Sequence, residues 1–162
     1  MDPWSEMLQA VTEEFSDLTD VGQATRIGVR MLLAAILGGT LGFEREHKGK
    51  SAGMRTHMLV ALGAALFVLI PQQAGVANAD LTRVLQGLTA GIGFLGAGTI
   101  IKRGGEADVQ GLTTAAGIWL TAAIGVAAGM GREATAVLST VLALVILATL
   151  PQFARPFQRR AP

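Results

Sequence analysis

Apolar residues run along this chain in five long blocks. No Asp, Glu, Lys or Arg falls between Met31 and Phe43, Met58 and Ala79, Val84 and Ile101, Gly111 and Gly131, or Ala134 and Ala154. A helix of about 18 residues spans roughly 27 Å, close to the ~30 Å hydrocarbon core of a bilayer. The blocks predict five transmembrane helices, near 26–43, 56–71, 82–101, 111–131 and 134–151. A soluble bundle needs a polar face on most of its helices, and these five lack one. The expected fold class is an all-α membrane protein. Its domains are an acidic amphipathic segment at 1–25, a five-helix transmembrane domain at 26–151 and a basic tail at 152–162.

The stretch ahead of the first block has a different period. Asp2-Pro3 reads as an N-cap followed by Pro at the first helical position. Trp4, Met7, Leu8, Val11, Phe15 and Leu18 then recur at helical spacing. This predicts a short amphipathic helix lying at the outer surface or packed over the bundle. It carries Asp2, Glu6, Glu13, Glu14, Asp17 and Asp20 and no basic residue, so it is not a secretory leader and is not drawn to anionic lipid.

Charge placement sets an orientation. Arg45, Lys48, Lys50, Arg55, Lys102, Arg103, Arg155, Arg159 and Arg160 fall in alternate connecting segments, and only Arg83 and Arg132 fall in the others. By the positive-inside rule the N-terminus lies outside and the C-terminus in the cytoplasm. Net charge is only +1, which argues against a nucleic-acid partner. With no Cys and two His, a disulfide framework, a Cys nucleophile and a His-rich metal site are all excluded.

Glycine patterning within the helices points to close packing. Gly38 and Gly42 in the first helix repeat every four residues with Ala34, and Gly117, Gly125 and Gly129 do so in the fourth with Thr121. Such small-xxx-small stripes let backbones approach in lipid. In the third helix Gly87, Gly91 and Gly98 share one face, with Gly93 and Gly96 on others, and Val84, Leu85, Leu88, Ile92 and Leu95 form a bulky arc. We expect that arc to face lipid and the third helix to be the centre of the bundle. The run Gly91 to Gly96 also matches GxGxxG, but no strand precedes it, it lies inside an uncharged span, and beyond Asp108 the next acid is Glu133, too far on for a dinucleotide site.

Ionisable residues at membrane depth are the functional candidates. Asp80 and Arg83 open the third helix and are read either as an ion pair on its protein-facing side or as a capping residue with a snorkelling Arg. Glu44, Arg45, Arg55 and Thr56 flank the first cytoplasmic turn, where Glu44 could reach Arg55. With Arg45, Lys48 and Arg55 near Glu44 and Glu46, an ion-pair cluster is favoured over a Mg²⁺ site, so no metal site is assigned. His57 reads as a structural interfacial side chain with a possible proton-handling role. No catalytic constellation is present, so the chain is read as a non-enzyme without a cofactor.

Taken together, GGTLGFERE, SAGMRTHMLVALGAALF, DLTRVLQGLTAGIGFLGAGTIIKRG and VQGLTTAAGIWLTAAIGVAAGMG resemble, in order and spacing, the MgtC/SapB family of bacterial inner-membrane proteins over about residues 26–150. Its signature falls here on Gly42, Glu44, Arg45, Ala52, Gly53, Arg55, Thr56, Asp80, Arg83, Gly91, Gly93, Gly96, Ala97, Gly98 and the run from Gly111 through Thr113 and Thr114 to Ala116. The resemblance implies a multi-pass inner-membrane regulator of magnesium limitation and of acid or intracellular stress, in a family associated with virulence. The Gly-rich faces of the third and fourth helices, in contact with membrane lipid, are expected to bind another membrane protein or a second copy of the chain, and the resemblance suggests the F-type ATP synthase as a partner, as for some members. The alternative is a Mg²⁺ or proton transporter or channel. Longer relatives carry a C-terminal cytoplasmic domain, so this chain is expected to be nearer the short, bundle-only branch.

Overall fold

A computed structural model describes residues 2–18, 20–102 and 109–158 of the chain. Among them are six helices: α1 (Pro3–Glu14), α2 (Val21–His47), α3 (Met54–Gln73), α4 (Asn78–Ala97), α5 (Leu112–Gly129) and α6 (Glu133–Gln158). A single 3-10 turn follows α1, and a small antiparallel hairpin of β1 (Ile101–Lys102) and β2 (Val109–Gln110) joins α4 to α5. Ile101 pairs with Gln110 and Lys102 with Val109. Arg103, Arg159 and Arg160, three of the basic residues that set the expected orientation, lie outside the described residues.

Local chemistry explains most helix starts. The Asp2 side chain accepts from Trp4 N with Pro3 next to it, as the sequence predicts. Asp20 caps α2, accepting from the N–H groups of Gly22 and Gln23 at 3.1 Å each. Helix α3 opens at Gly53, which has no side chain to cap with, so Glu46 Oε2 reaches back and accepts from Met54 N at 2.8 Å. A carboxylate there satisfies an orphan donor and complements the helix dipole. Helix α5 opens at Gly111, whose φ of +95° is left-handed and favours glycine. A Cβ there would also collide with the Thr99 carbonyl.

Small residues bring α2, α3 and α5 into near-backbone contact. Gly38 faces His57 and Ala61, and Gly42 faces Gly53 and Met54, so α2 and α3 run antiparallel. Gly117 faces His57, Gly125 faces Ala61 and Gly129 faces Ala65, so α3 and α5 run parallel. The core they enclose includes Ala34, Leu37 and Leu41 from α2, Ala61, Ala65 and Leu69 from α3, and Ile124 and Ala128 from α5. Helix α6 closes it with Ala136 and Ala143. The hydroxyls of Thr40, Thr89, Thr121 and Thr140 donate to carbonyls three or four residues back in their own helices, which is how hydroxyls are satisfied without water.

Two expectations are corrected. Helix α5, not the Gly-rich α4, is the central helix, packing on α2, α3, α4 and α6. Helix α4 is also turned the opposite way. Leu81 is buried, and Val84, Leu85, Leu88 and Ile92 are half-buried against the bundle. Gly87, Gly91 and Gly93 face outward, where an added Cβ would meet nothing within 4 Å. Bulky side chains gain contacts by filling the space left beside the glycines and alanines of α3 and α5, which outweighs backbone proximity for α4. Of the α4 glycines predicted to pack, Gly96 alone lies against a neighbouring helix, with a Cβ 3.6 Å from Ala115. A Cβ at Gly98 would meet carbonyls of its own last turn.

Helices α2, α3 and α5 are long and apolar enough to cross a membrane. In α6 the apolar stretch Glu133–Thr149 is shorter, and α4 combines Asp80, Arg83 and Gln86 with four glycines. Leu32, Ile36, Leu59, Phe67, Ile70, Trp119, Leu142 and Ile146 point outward. A surface so apolar is a liability in water and ordinary in lipid. Among the described residues nothing covers α1, whose own residues are all exposed, so it does not pack over the described bundle.

Candidate functional site

One end of the bundle gathers the end of α2 and the starts of α3 and α5. The backbones converge there because Gly38 and Gly42 carry no Cβ: one at 38 would lie 2.6 Å from the His57 carbonyl, and one at 42 would lie 2.5 Å from Met54 Cα. Residues 38, 42 and 45 share a helix face at spacings of four and three, so Arg45 turns into the same contact. It is 4% exposed. Its Nε donates to Glu44 at 2.5 Å, compensating a charge that would be costly to bury alone. The other Glu44 oxygen, Oε1, is buried and has no hydrogen-bond partner.

The sequence paired Glu44 with Arg55. Instead Glu44 takes its chain neighbour, and Arg55, in the first turn of α3, is exposed. Thr56 is half-buried, Thr114 is buried and Thr113 is exposed. Glu46, weighed with Glu44 as a carboxylate pair, is the α3 cap. No group of three or more His, Asp or Glu that could hold a metal ion occurs among the described residues.

His57 is the site residue whose burial was not foreseen. It is fully buried, its Nδ1 lies 2.9 Å from the Gly53 carbonyl, and its Nε2 has no partner. A carbonyl can only accept, so Nδ1 carries the proton. Spacing could have found the contact: His57, Ala61 and Ala65 recur every four residues, matching the stripe on α5.

Asp80 and Arg83 stand at the opposite end, near the start of α4. Their charged atoms are 3.9 Å apart, and the side chains are 57% and 83% exposed, on the outward face and not the inward one expected. At the same end Arg30 ties α2 to the α5–α6 turn. Its guanidinium donates to the Gly129 carbonyl at 3.2 Å and lies 3.7 Å from the Glu133 carboxylate. It occupies the place a Cβ on Gly131 would take. No short-range sequence signal joins residues 99 positions apart.

Fold and site together define a small helical membrane protein whose ionisable residues gather at helix ends. The chain belongs to the MgtC family, whose model matches residues 31–156. It is 43% identical over 141 residues to SrpB of Synechococcus elongatus, covering 80% of this chain and 77% of that protein. It is 44% identical over 117 residues to MgtC of Brucella abortus, covering 72% of this chain and 48% of the other. It is 39% identical over 132 residues to YhiD of Escherichia coli K12, a protein whose given name proposes a magnesium transporter, covering 76% and 60%. The chain thus spans less than two thirds of YhiD and about half of the Brucella protein. No solved structure matches it.

Proposed function

We propose that this protein is a five-span, inner-membrane, non-enzymatic regulator in magnesium homeostasis and the associated stress response. It acts by docking the outward face of α4 on another membrane helix. The tie to magnesium rests on the family and on the name of YhiD. The observation that carries the docking is the contrast among glycines. Gly38, Gly42, Gly125 and Gly129 are used within the chain, whereas Gly87 and Gly91, one turn apart on α4, face open space. A lipid-facing helix gains nothing from glycine, and close helix approach does. The Asp80–Arg83 pair lies at the end of the same face. In a parallel pairing of two copies these charges would meet their counterparts at one level.

The transport reading has one observation in its favour, the unpartnered Oε1 of Glu44, whose other oxygen holds buried Arg45. Against it, the core beyond them is closed by Ala34, Leu37, Ala65, Leu69 and Ile124. The buried Thr121 and Thr140 there bond to their own helices.

Co-purification in mild detergent from magnesium-starved cells tests the proposal. Gly91→Leu should lose the second copy or membrane partner that the wild type retains, the F-type ATP synthase being one such partner, while the monomer stays folded. Retention of the same partners by Gly91→Leu would overturn it.

A further inference from the structure

Between α5 and α6 lies a cavity of about 160 Å³. Its inner wall is Leu41, His57 and Ala143, all buried. Its mouth is formed by Thr113, Ala116 and Ile146, which are exposed on the outer surface of α5 and α6. The outward side chains of α6 here, such as Leu142 and Ile146, are apolar, so with α6 read as a membrane span, as proposed above, the mouth opens to lipid.

The polar group at the floor is specific. His57 Nδ1 is committed to the Gly53 carbonyl, which leaves Nε2 of the neutral ring as an acceptor with a free lone pair. That atom is buried and unpartnered. It lies beside Gly117, which also lines the cavity and whose missing Cβ would stand 3.6 Å from it. A buried acceptor left unmade is unfavourable. A single water would fill little of the space, and it needs two to four polar partners, whereas among the described residues only His57 and Thr113 line it with polar side-chain atoms. An apolar cavity of roughly 150 Å³ takes a benzene-sized guest and otherwise stays dry.

We propose that this cavity binds a compact, lipid-soluble, neutral molecule bearing one hydroxyl donor, of the phenol or small-alcohol class. The hydroxyl donates to His57 Nε2 and the apolar body fills the space between α5 and α6. The ligand enters from the bilayer. This site is independent of the outward face of α4.

The test uses phenol and toluene, two probes of similar size of which one carries the hydroxyl. The whole chain is labelled with ¹⁵N-histidine in lipid nanodiscs, where His47 and His57 report. Phenol should bind about fivefold tighter than toluene, the effect of one hydrogen bond to a buried acceptor, and should move the His57 Nε2 resonance upfield. Toluene should leave that resonance in place. Gly117→Ala puts a methyl at ordinary contact distance from Nε2, so the fold survives and the preference for phenol should fall to about onefold. It keeps the test decisive if His57→Phe, expected to lose the same preference, fails to fold. Equal affinity for the two probes would overturn the proposal, as would binding of neither. So would a His57 resonance that phenol does not move.

Discussion

Gly125 lies directly against the backbone of Ala61: a Cβ on the glycine would collide with the Ala61 carbonyl oxygen. One turn further, a Cβ on Gly129 would lie 2.7 Å from the carbonyl of Ala65. These are backbone atoms and cannot turn aside as a side-chain tip would. The stripe on α5 and the stripe on α3 are therefore one interface, and it sets the distance between the two most central helices.

Gly125→Ala should accordingly destabilise the protein by about 1–3 kcal/mol through overpacking. Gly87→Ala, with open space around it, should leave stability unchanged or raise it by up to about 1 kcal/mol, since Ala is the better helix former. Thermal unfolding in a mild detergent compares the two; equal effects would contradict the packing described.

Gly111 has two reasons to be glycine, its positive φ and the nearby Thr99 carbonyl. Gly111→Ala should cost about 1–3 kcal/mol and loosen the join between the hairpin and α5. Hydrogen exchange should rise at the first N–H groups of α5 while the middle of α3 stays protected.

Glu46 supplies the cap that Gly53 cannot. Glu46→Ala should cost about 1 kcal/mol and speed amide exchange at Met54. Glu46→Gln, which keeps an acceptor oxygen, should lose less. A Cβ on Gly53 would lie 2.5 Å from Glu46 Oε2, so Gly53→Ala should displace the cap and resemble Glu46→Ala.

At the far end, Arg30 and Glu133 should not be equivalent. The Glu133 side chain is 46% exposed and 3.7 Å from Arg30, so Glu133→Gln should cost less than about 1 kcal/mol. Arg30→Ala also leaves the Gly129 carbonyl without its side-chain donor and should cost about 1–2 kcal/mol. Unfolding at two salt concentrations separates the contributions, since only the ion-pair part weakens with salt.

The sequence made some of this readable and hid the rest, for physical reasons. Helix positions followed from blocks without charge, and the α5 stripe followed from a four-residue repeat. The caps at Asp2 and Asp20 are local, and the Asp2 cap was read as such. The orientation of α4 was misjudged because a helix with one small and one bulky face satisfies lipid and protein equally well in either sense. What decides it is the space left by glycines and alanines on α3 and α5, which lies in other parts of the chain. The same limit hid Arg30 with Glu133 and the full burial of His57. Glu44 was found, but its partner was not, because the adjacent Arg45 shares the inward face with Gly38 and Gly42 while Arg55 does not.

The outward face of α4 is tested most directly by single cysteines, since the native chain has none. Gly87→Cys and Gly91→Cys should crosslink to a second copy or to another membrane protein in native membranes, while Val84→Cys and Leu88→Cys, half-buried against the bundle, should not. Crosslinking at all four positions alike, or at the inward pair alone, would contradict docking through this face.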